Sequence, residues 1–182
     1  MTRRRLPHLY PEGGWLFVTW HLHGSLPPAA YPPPGKPTAG KAFVWMDRYL
    51  DTATTGPMFL RRPEVAGLVA GALEQGSARG LYDLRAFVVM GNHVHILFLP
   101  LQQASRVLQW IKGTTARYAN KLLGRTGQPF WERESYDHWA RDEREMERIA
   151  AYIEDNPVRA GLAAEASGYP WSSAGARTKT VS

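Results

Sequence analysis

The chain has 182 residues, a length that fits one domain built around a single hydrophobic core. Lys and Arg total 22 against 16 Asp and Glu, so the formal net charge of +6 suits a polyanionic partner without requiring one. The absence of cysteine excludes disulfides and thiolate metal sites, which leaves His, carboxylate and amide groups as metal ligands. No apolar run reaches the roughly 18 residues of a membrane span, and we expect a cytoplasmic protein.

The first part of the chain predicts one strand and two helices. Gly14 to His23 is rich in aromatic and branched residues between glycines, which is typical of a strand. Proline density in residues 26–40 excludes regular structure and predicts a semi-rigid surface loop. A short helix is expected near Val44 to Leu50. A clearer helix begins at Pro63, and its apolar residues recur at helical spacing until Gly76.

The middle of the chain predicts a hairpin, a helix and a short strand. Leu84 to Met90 and Val94 to Leu99 are strand-like, and the intervening Gly91–Asn92 favours a turn. A helix is expected from Ser105 to Leu123, and an edge strand from Tyr136 to Trp139.

The last predicted element is a helix capped by Asp142. We expect it to end near Asn156, because Pro157 disfavours its continuation, and we expect residues 174–182 to form a flexible tail. Strands and helices in this order indicate an α+β fold, with helices packed on an antiparallel sheet, in one domain spanning residues 1–182.

Two histidines on the second hairpin strand form a candidate metal pair. His93 and His95 are two residues apart, so both side chains leave the same face of the sheet and can approach one divalent cation. The alternative is a pair of sheet residues hydrogen-bonded to their neighbours. A histidine-triad phosphoesterase is excluded, because Leu97 stands where a third histidine is needed. A similar pair, His21 and His23, is interpreted as structural or DNA-facing.

Tyr152 is a candidate nucleophile on the last helix. Met146, Ile149, Ala150 and Ile153 form the core-facing stripe of that helix, and Tyr152 lies at its edge with Asn156 one turn further on. Such a tyrosine either anchors packing or attacks an electrophile. A nearby divalent cation can lower the pKa of the phenol and polarise a phosphate, and Asn156 offers a neutral oxygen ligand.

Three segments together carry a resemblance to a known family: GNHVHILFLP, FWERESYDHWARDEREMERIAAYIEDNPVRAGL and YPWSS. With them the chain resembles the REP-associated branch of the single-tyrosine HUH transposases, from the first strand to Trp171. Two features depart from the family pattern. Gly91 stands where the family usually has proline, and the proline-rich segment Pro27 to Pro37 is longer than a minimal member needs.

The resemblance implies a ferredoxin-like sheet on which His93, His95 and Asn156 bind Mg²⁺ or Mn²⁺ and Tyr152 is the nucleophile. It also implies cleavage of single-stranded DNA beside a palindromic hairpin, with a 5′-phosphotyrosine intermediate and a free 3′-hydroxyl for strand transfer. Whether such a protein acts as a monomer or a homodimer stays open. The alternatives are a DNA-binding protein with little or no transposition activity and a hydrolytic metal phosphoesterase.

Basic side chains after the histidine strand are candidate DNA contacts. Some of them share one face of the predicted helix, and the last follows that helix: Arg106, Lys112, Arg117, Lys121 and Arg133. The alternative interpretation is that these side chains form a solvated surface without DNA contacts.

Overall fold

A four-stranded antiparallel sheet organises the chain. The computed structural model describes residues 13–27 and 38–180, and its strands lie in the order β2-β3-β1-β4. They are β1 (Leu16–His21), β2 (Tyr82–Val89), β3 (His93–Pro100) and β4 (Tyr136–Trp139). Every neighbouring pair is antiparallel, and helical connections link β1 to β2 and β3 to β4. This is the ferredoxin-like arrangement, and the predicted α+β class is confirmed.

Helices cover both faces of the sheet. They are α1 (Ala39–Thr52), α2 (Pro63–Ala78), α3 (Ala104–Leu122), α4 (Glu143–Arg159) and α5 (Ser173–Thr180). The helices α2 and α3 pack on one face and α1 and α4 on the other, so the core has two layers divided by the sheet. No helix in the described ranges is long and apolar enough to cross a membrane.

Alternation along β1 and β3 separates the two layers. Val18 and Trp20 of β1 and Ile96 of β3 point toward α2 and α3, where all three are fully buried. Phe17 of β1 and Leu97 of β3 point the other way, toward α1 and α4. Both strands are buried on both faces, which explains why their sequences are almost continuously apolar.

Two helices extend further than the sequence predicts. Helix α1 begins at Ala39 instead of near Val44, with Thr38 as its cap. Helix α4 continues through Pro157 to Arg159, so the predicted end near Asn156 is wrong. Proline removes one backbone donor, but the helix continues past it, and the backbone N–H of Ala160 donates to the Asn156 carbonyl at 3.0 Å.

The C-terminal segment is ordered against the sheet edge. The backbone N–H of Val89 donates to the Trp171 carbonyl at 2.8 Å, and Val88 bridges Ser172, so this segment covers the free edge of β2. Beyond it, α5 replaces the flexible tail that we expected from residue 174, because Arg177 pairs with Glu154 of α4 at 2.7 Å. Residues 28–37 of the predicted proline-rich loop and residues 181–182 lie outside the described part.

Candidate metal and nucleophile site

The two histidines of β3 lie under α1 and α4. His93 and His95 are both fully buried, and they face the layer that contains Phe17 and Leu97. In the register with β1 they stand opposite His21 and Thr19. Their rings are 4.8 Å apart between centroids. The predicted convergence of the two imidazoles on one face is therefore present.

His93 is held with its Nε2 atom open to the site. Its Nδ1 lies 2.7 Å from Oδ1 of Asn92, and the Asn92 amide nitrogen donates to the Leu50 carbonyl at 3.0 Å. Because the Asn92 oxygen can only accept, His93 Nδ1 carries the proton and Nε2 keeps its lone pair. Burial, with the neighbouring His95, lowers the pKa of His93 to about 3. The ring is therefore neutral near pH 7, as a ligand must be.

His95 is oriented by β1. Its Nδ1 lies 2.6 Å from the Thr19 hydroxyl, and its ring stacks on Phe17 with centroids 5.7 Å apart. The other ring nitrogen, Nε2, lies 3.0 Å from Asp47 Oδ1 and 3.4 Å from the Asn156 amide nitrogen. Thr19 thus fixes the ring in the way that outer hydrogen bonds commonly fix metal-binding histidines.

Asp47 of α1 is the residue that sequence reasoning missed. Its Oδ1 lies 3.8 Å from His93 Nε2 in addition to the contact with His95, and its side chain is almost fully buried. Burial would raise the pKa of Asp47, but His95, His93 and a hydrogen bond from Tyr152 together hold that pKa well below its usual range. The carboxylate is thus ionised at the centre of the site. Asp47, His93 and His95 form a group with metal-ligand spacing.

Tyr152 points its hydroxyl into the same space. The hydroxyl donates a short hydrogen bond to Oδ2 of Asp47, and the Tyr152 and His95 rings are 6.0 Å apart between centroids. Burial and the negative charge of Asp47 raise the pKa of Tyr152 well above its usual range, while Arg159, 4.8 Å from the ring centroid, opposes the shift. The phenol is therefore protonated near pH 7.

Asn156 completes the cluster from the next turn of α4. It is fully buried, and its Oδ1 has no hydrogen-bond partner among the described residues. The helical backbone at Asn156 keeps its side chain on the same side as Tyr152, one turn away. We call Asp47, His93, His95 and Asn156 the polar cluster.

Unsatisfied buried atoms indicate what the polar cluster is built to hold. Within the described ranges, four side-chain atoms in or beside it are buried without a hydrogen-bond partner: Asp47 Oδ1, Asp51 Oδ1, His93 Nε2 and Asn156 Oδ1. The contact of Asp47 Oδ1 with His95 Nε2 is an ion-pair contact at 3.0 Å that lacks the alignment of a hydrogen bond. Each such atom costs free energy in the folded protein unless a partner is bound. All four are electron-pair donors, and this nitrogen and oxygen set fits a divalent cation.

The second histidine pair does not join the polar cluster. His21 lies beside His93, but its Nδ1 is 2.9 Å from the Ser25 hydroxyl, which together with the Leu22 carbonyl holds the ring. His23 is exposed and lies 3.2 Å from a carboxylate oxygen of Glu132. His21 is thus held by contacts within the chain, and the exposed His23 lies beside a carboxylate.

The predicted DNA contacts lie on the opposite face of the sheet, on or after α3. Arg106, Arg117, Lys121 and Arg133 are exposed. The Lys112 ammonium is partly buried, and it donates to the carbonyls of Glu132 and Arg133 at 2.8 and 3.1 Å. Lys112 therefore has a structural contact, whereas the other four are presented to solvent.

Comparison with known proteins places this architecture in a family. No curated protein matches the chain. A solved REP-associated tyrosine transposase bound to a REP hairpin shares the fold, with a TM-score of 0.64 and 17% identity over 98% of this chain and 86% of that chain. A candidate transposase from Deinococcus radiodurans R1 has a TM-score of 0.47 and 17% identity over 86% of this chain and 98% of that chain. The family model of IS200-like transposases matches residues 62–156, more than half of the sequence. The chain therefore belongs to the IS200-like transposase family.

Proposed function

We propose that the chain is a metal-dependent single-stranded DNA nickase and strand transferase whose nucleophile is Tyr152. One observation carries the proposal. The Tyr152 hydroxyl and the Asn156 amide lie one helical turn apart on α4, and within one chain the hydroxyl bonds to Asp47 while the amide approaches His95. Asp47 in turn approaches both histidines of β3. Binding DNA alone would not require a buried tyrosine beside unsatisfied metal-type ligands.

His93, His95 and Asn156 are the ligands that the family resemblance implies, and Asp47 is a fourth ligand proposed from its position. A divalent cation held there would supply positive charge to the cleaved phosphate and to the phenol oxygen. That charge would oppose burial and the negative charge of Asp47, which together raise the pKa of Tyr152 in the metal-free protein. Metal dependence is thus expected from the electrostatics of the site.

The chemical step is an exchange of one ester for another. The Tyr152 oxygen forms a bond to phosphorus, the bond from phosphorus to the 3′-oxygen breaks, and that oxygen leaves as a 3′-hydroxyl after taking up a proton. Asp47 Oδ2 accepts the hydrogen bond of the phenol and so orients the Tyr152 oxygen, while the proton that Tyr152 releases passes to solvent through the surface cleft that Tyr152 lines. Because the phosphotyrosine preserves the ester, a 3′-hydroxyl can later attack it and rejoin the strand.

The proposed substrate is single-stranded DNA that carries a palindromic hairpin. The solved transposase of similar fold is bound to a REP hairpin, which supports this choice. On this chain a groove between α2 and α3 offers cations beside aromatic rings, since Arg79 lies over Trp110 and Arg117 over Tyr118 at 5.7 and 5.6 Å. We propose that this groove, with Arg106, Lys121 and Arg133, holds DNA outside the polar cluster.

The test is covalent capture of labelled DNA. Single-stranded oligonucleotides with hairpins are incubated with the protein and Mn²⁺, and a denaturation-resistant adduct is expected that EDTA prevents. Tyr152→Phe should abolish it, whereas Tyr136→Phe should retain it. Tyr136 is a matched control, because its ring packs in the same aromatic group, 4.3 Å from the Phe43 centroid. Cleavage without an adduct would favour a hydrolytic phosphoesterase, and DNA binding without cleavage would favour a DNA-binding protein.

A further inference from the structure

The polar cluster lies between two surface clefts. One, of about 330 Å³, is lined by Tyr152 together with Phe43, Tyr136 and Arg148, and we call it the Tyr152 cleft. The other, of about 460 Å³, reaches His93 and Asp51, and we call it the His93 cleft. Both volumes lie within the range of small-ligand sites. The nucleophile is thus at one side of the cluster and the His93 cleft at the other.

The floor of the His93 cleft is part of the polar cluster. His93 is fully buried, and its Nε2 has no hydrogen-bond partner among the described residues. Asp51 Oδ1 lies 3.6 Å from that atom and also faces the cleft. A molecule that enters the cleft therefore ends beside the atoms that hold the cation in the proposed function.

The walls of the His93 cleft suit a nucleobase. Met58 and Met90 contribute thioethers, and Tyr169 and Trp171 contribute aromatic rings. Thioethers and rings make favourable flat contacts with π systems, and base stacking on such surfaces does not require a particular sequence. The Tyr169 ring is fixed, because its hydroxyl donates to the Val89 carbonyl at 2.9 Å.

A cation stands at the rim of the same cleft. Arg61 is exposed and lies across the turn at Gly91. A Cβ atom at position 91 would come within 3.2 Å of both Cγ and Nε of Arg61, so the missing side chain leaves room for this arginine. Gly91 is also where the chain departs from the proline of the family that it resembles.

We propose that the His93 cleft binds the nucleoside on the 3′-hydroxyl side of the cleaved phosphate, with Arg61 on the phosphate that precedes it. The proposal rests on the proposed function, because it takes the Tyr152 oxygen as the attacking atom. In phosphoryl transfer the attacking and leaving oxygens lie roughly in line on opposite sides of the phosphorus. With Tyr152 attacking from one side of the cluster, the departing 3′-oxygen and its nucleoside lie on the other side, where this cleft opens.

Photo-cross-linking tests the site without depending on turnover. Hairpin oligonucleotides carry one 5-iodouracil, moved stepwise through the unpaired flank, and are irradiated with the Tyr152→Phe protein in Mn²⁺. One position should cross-link to the peptide containing Met58 or to the one containing Tyr169 and Trp171. Cleavage by the unsubstituted protein should then identify that position as the nucleotide bearing the new 3′-hydroxyl.

The outcomes separate the cleft from the chemistry. Absence of cross-links to either peptide overturns the nucleoside site, and cross-links from the 5′-phosphate side of the cut overturn its assignment to the leaving nucleoside. If the cleft is cross-linked but the unsubstituted protein forms no Tyr152 adduct, the cleft is a nucleoside site. That result refutes the proposed chemistry, and it also refutes the assignment of the cleft to the leaving nucleoside.

Arg61→Ala provides a second measurement, by DNA affinity. The slope of log affinity against log salt should become shallower by about 0.7, the value for one lost phosphate contact on a single strand. Arg62→Ala is the matched control, since Arg62 carries the same charge one residue away and pairs with Glu64 instead. Equal slopes for the two variants would overturn the role of Arg61.

Discussion

Asp47→Asn separates a metal ligand from a buried residue that only supports the fold. The substitution keeps the shape of the side chain and removes its negative charge. The other members of the polar cluster are two histidines and an asparagine, so Asp47 is its carboxylate. Asp47 Oδ1 lies 3.0 Å from His95 Nε2 and 3.8 Å from His93 Nε2, so one cation can contact all three side chains. We therefore expect weaker binding of Mn²⁺ to the protein without DNA.

The size of the loss follows from the charges. Two unit charges about 4 Å apart gain about 4 kcal/mol at an effective dielectric constant of about 20, and a divalent cation doubles that gain. Hydration of the free ion and of the carboxylate offsets most of it. We expect a net loss of about 2 to 3 kcal/mol, which corresponds to about 30- to 150-fold weaker binding.

Calorimetry measures this loss in two ways. Titration of the EDTA-treated protein with MnCl₂ gives the dissociation constant directly. At saturating Mn²⁺ the ion-induced rise in Tm should also shrink by about 4 to 12 °C, since 1 kcal/mol corresponds to about 2 to 4 °C for a chain of this size. Asp51→Asn is the matched control and should lose less, because Asp51 approaches only His93, at 3.6 Å. An unchanged Mn²⁺ affinity with a lower Tm would refute the ligand role of Asp47.

Three further predictions concern the same site. Thr19→Val removes the hydrogen bond to His95 Nδ1 and should weaken Mn²⁺ binding about tenfold in calorimetric titration, whereas Thr19→Ser should not; equal effects would contradict the orienting role of the hydroxyl. In EDTA, the stability measured by urea unfolding should fall as the pH drops from about 6.5 toward about 3, because burial lowers the pKa of His93 to about 3 and the unfolded chain binds the extra proton. Burial and Asp47 raise the pKa of Asp51 to about 6, so between about pH 6 and 3.8 protonation of Asp51 opposes this loss of stability. Asp51→Asn should therefore make stability fall more steeply as the pH drops, and a shallower fall would contradict the raised pKa of Asp51. Mixing Tyr152→Phe with His93→Ala should not restore adduct formation, because tyrosine and histidines meet within one chain; recovered activity would indicate catalysis between two chains.

Local patterns predict much of the fold and part of the site. Strand alternation places His93 and His95 on one face from their spacing alone, and the predicted cap at Asp142 is present, accepting from Glu145 N at 2.7 Å. The apolar stripe of α4 packs on the sheet as predicted, which brings Tyr152 to the edge of the core. These features depend on residues close together in the chain, so their periodicity is visible in the sequence.

The rest of the site depends on which elements meet in space. Asp47 joins the histidines because α1 packs over β3, and Thr19 reaches His95 because of the β1–β3 register. Neither pairing can be derived from local spacing. One indication was present, since Asp47 shares a helical stripe with Phe43, Met46 and Leu50, and a carboxylate on such a stripe must be buried. A buried acid opposite a histidine strand is a reason to look for a metal.

The position of the covalent bond tests the central claim most directly. After reaction with hairpin DNA in Mn²⁺, nuclease and trypsin digestion should leave a nucleotide on the peptide of residues 149–159, and tandem mass spectrometry should locate it on Tyr152 through a 5′-phosphate. Fragments that place the nucleotide on Tyr136, a 3′-phosphate linkage, or cleaved DNA with no modified peptide would contradict Tyr152 as the nucleophile.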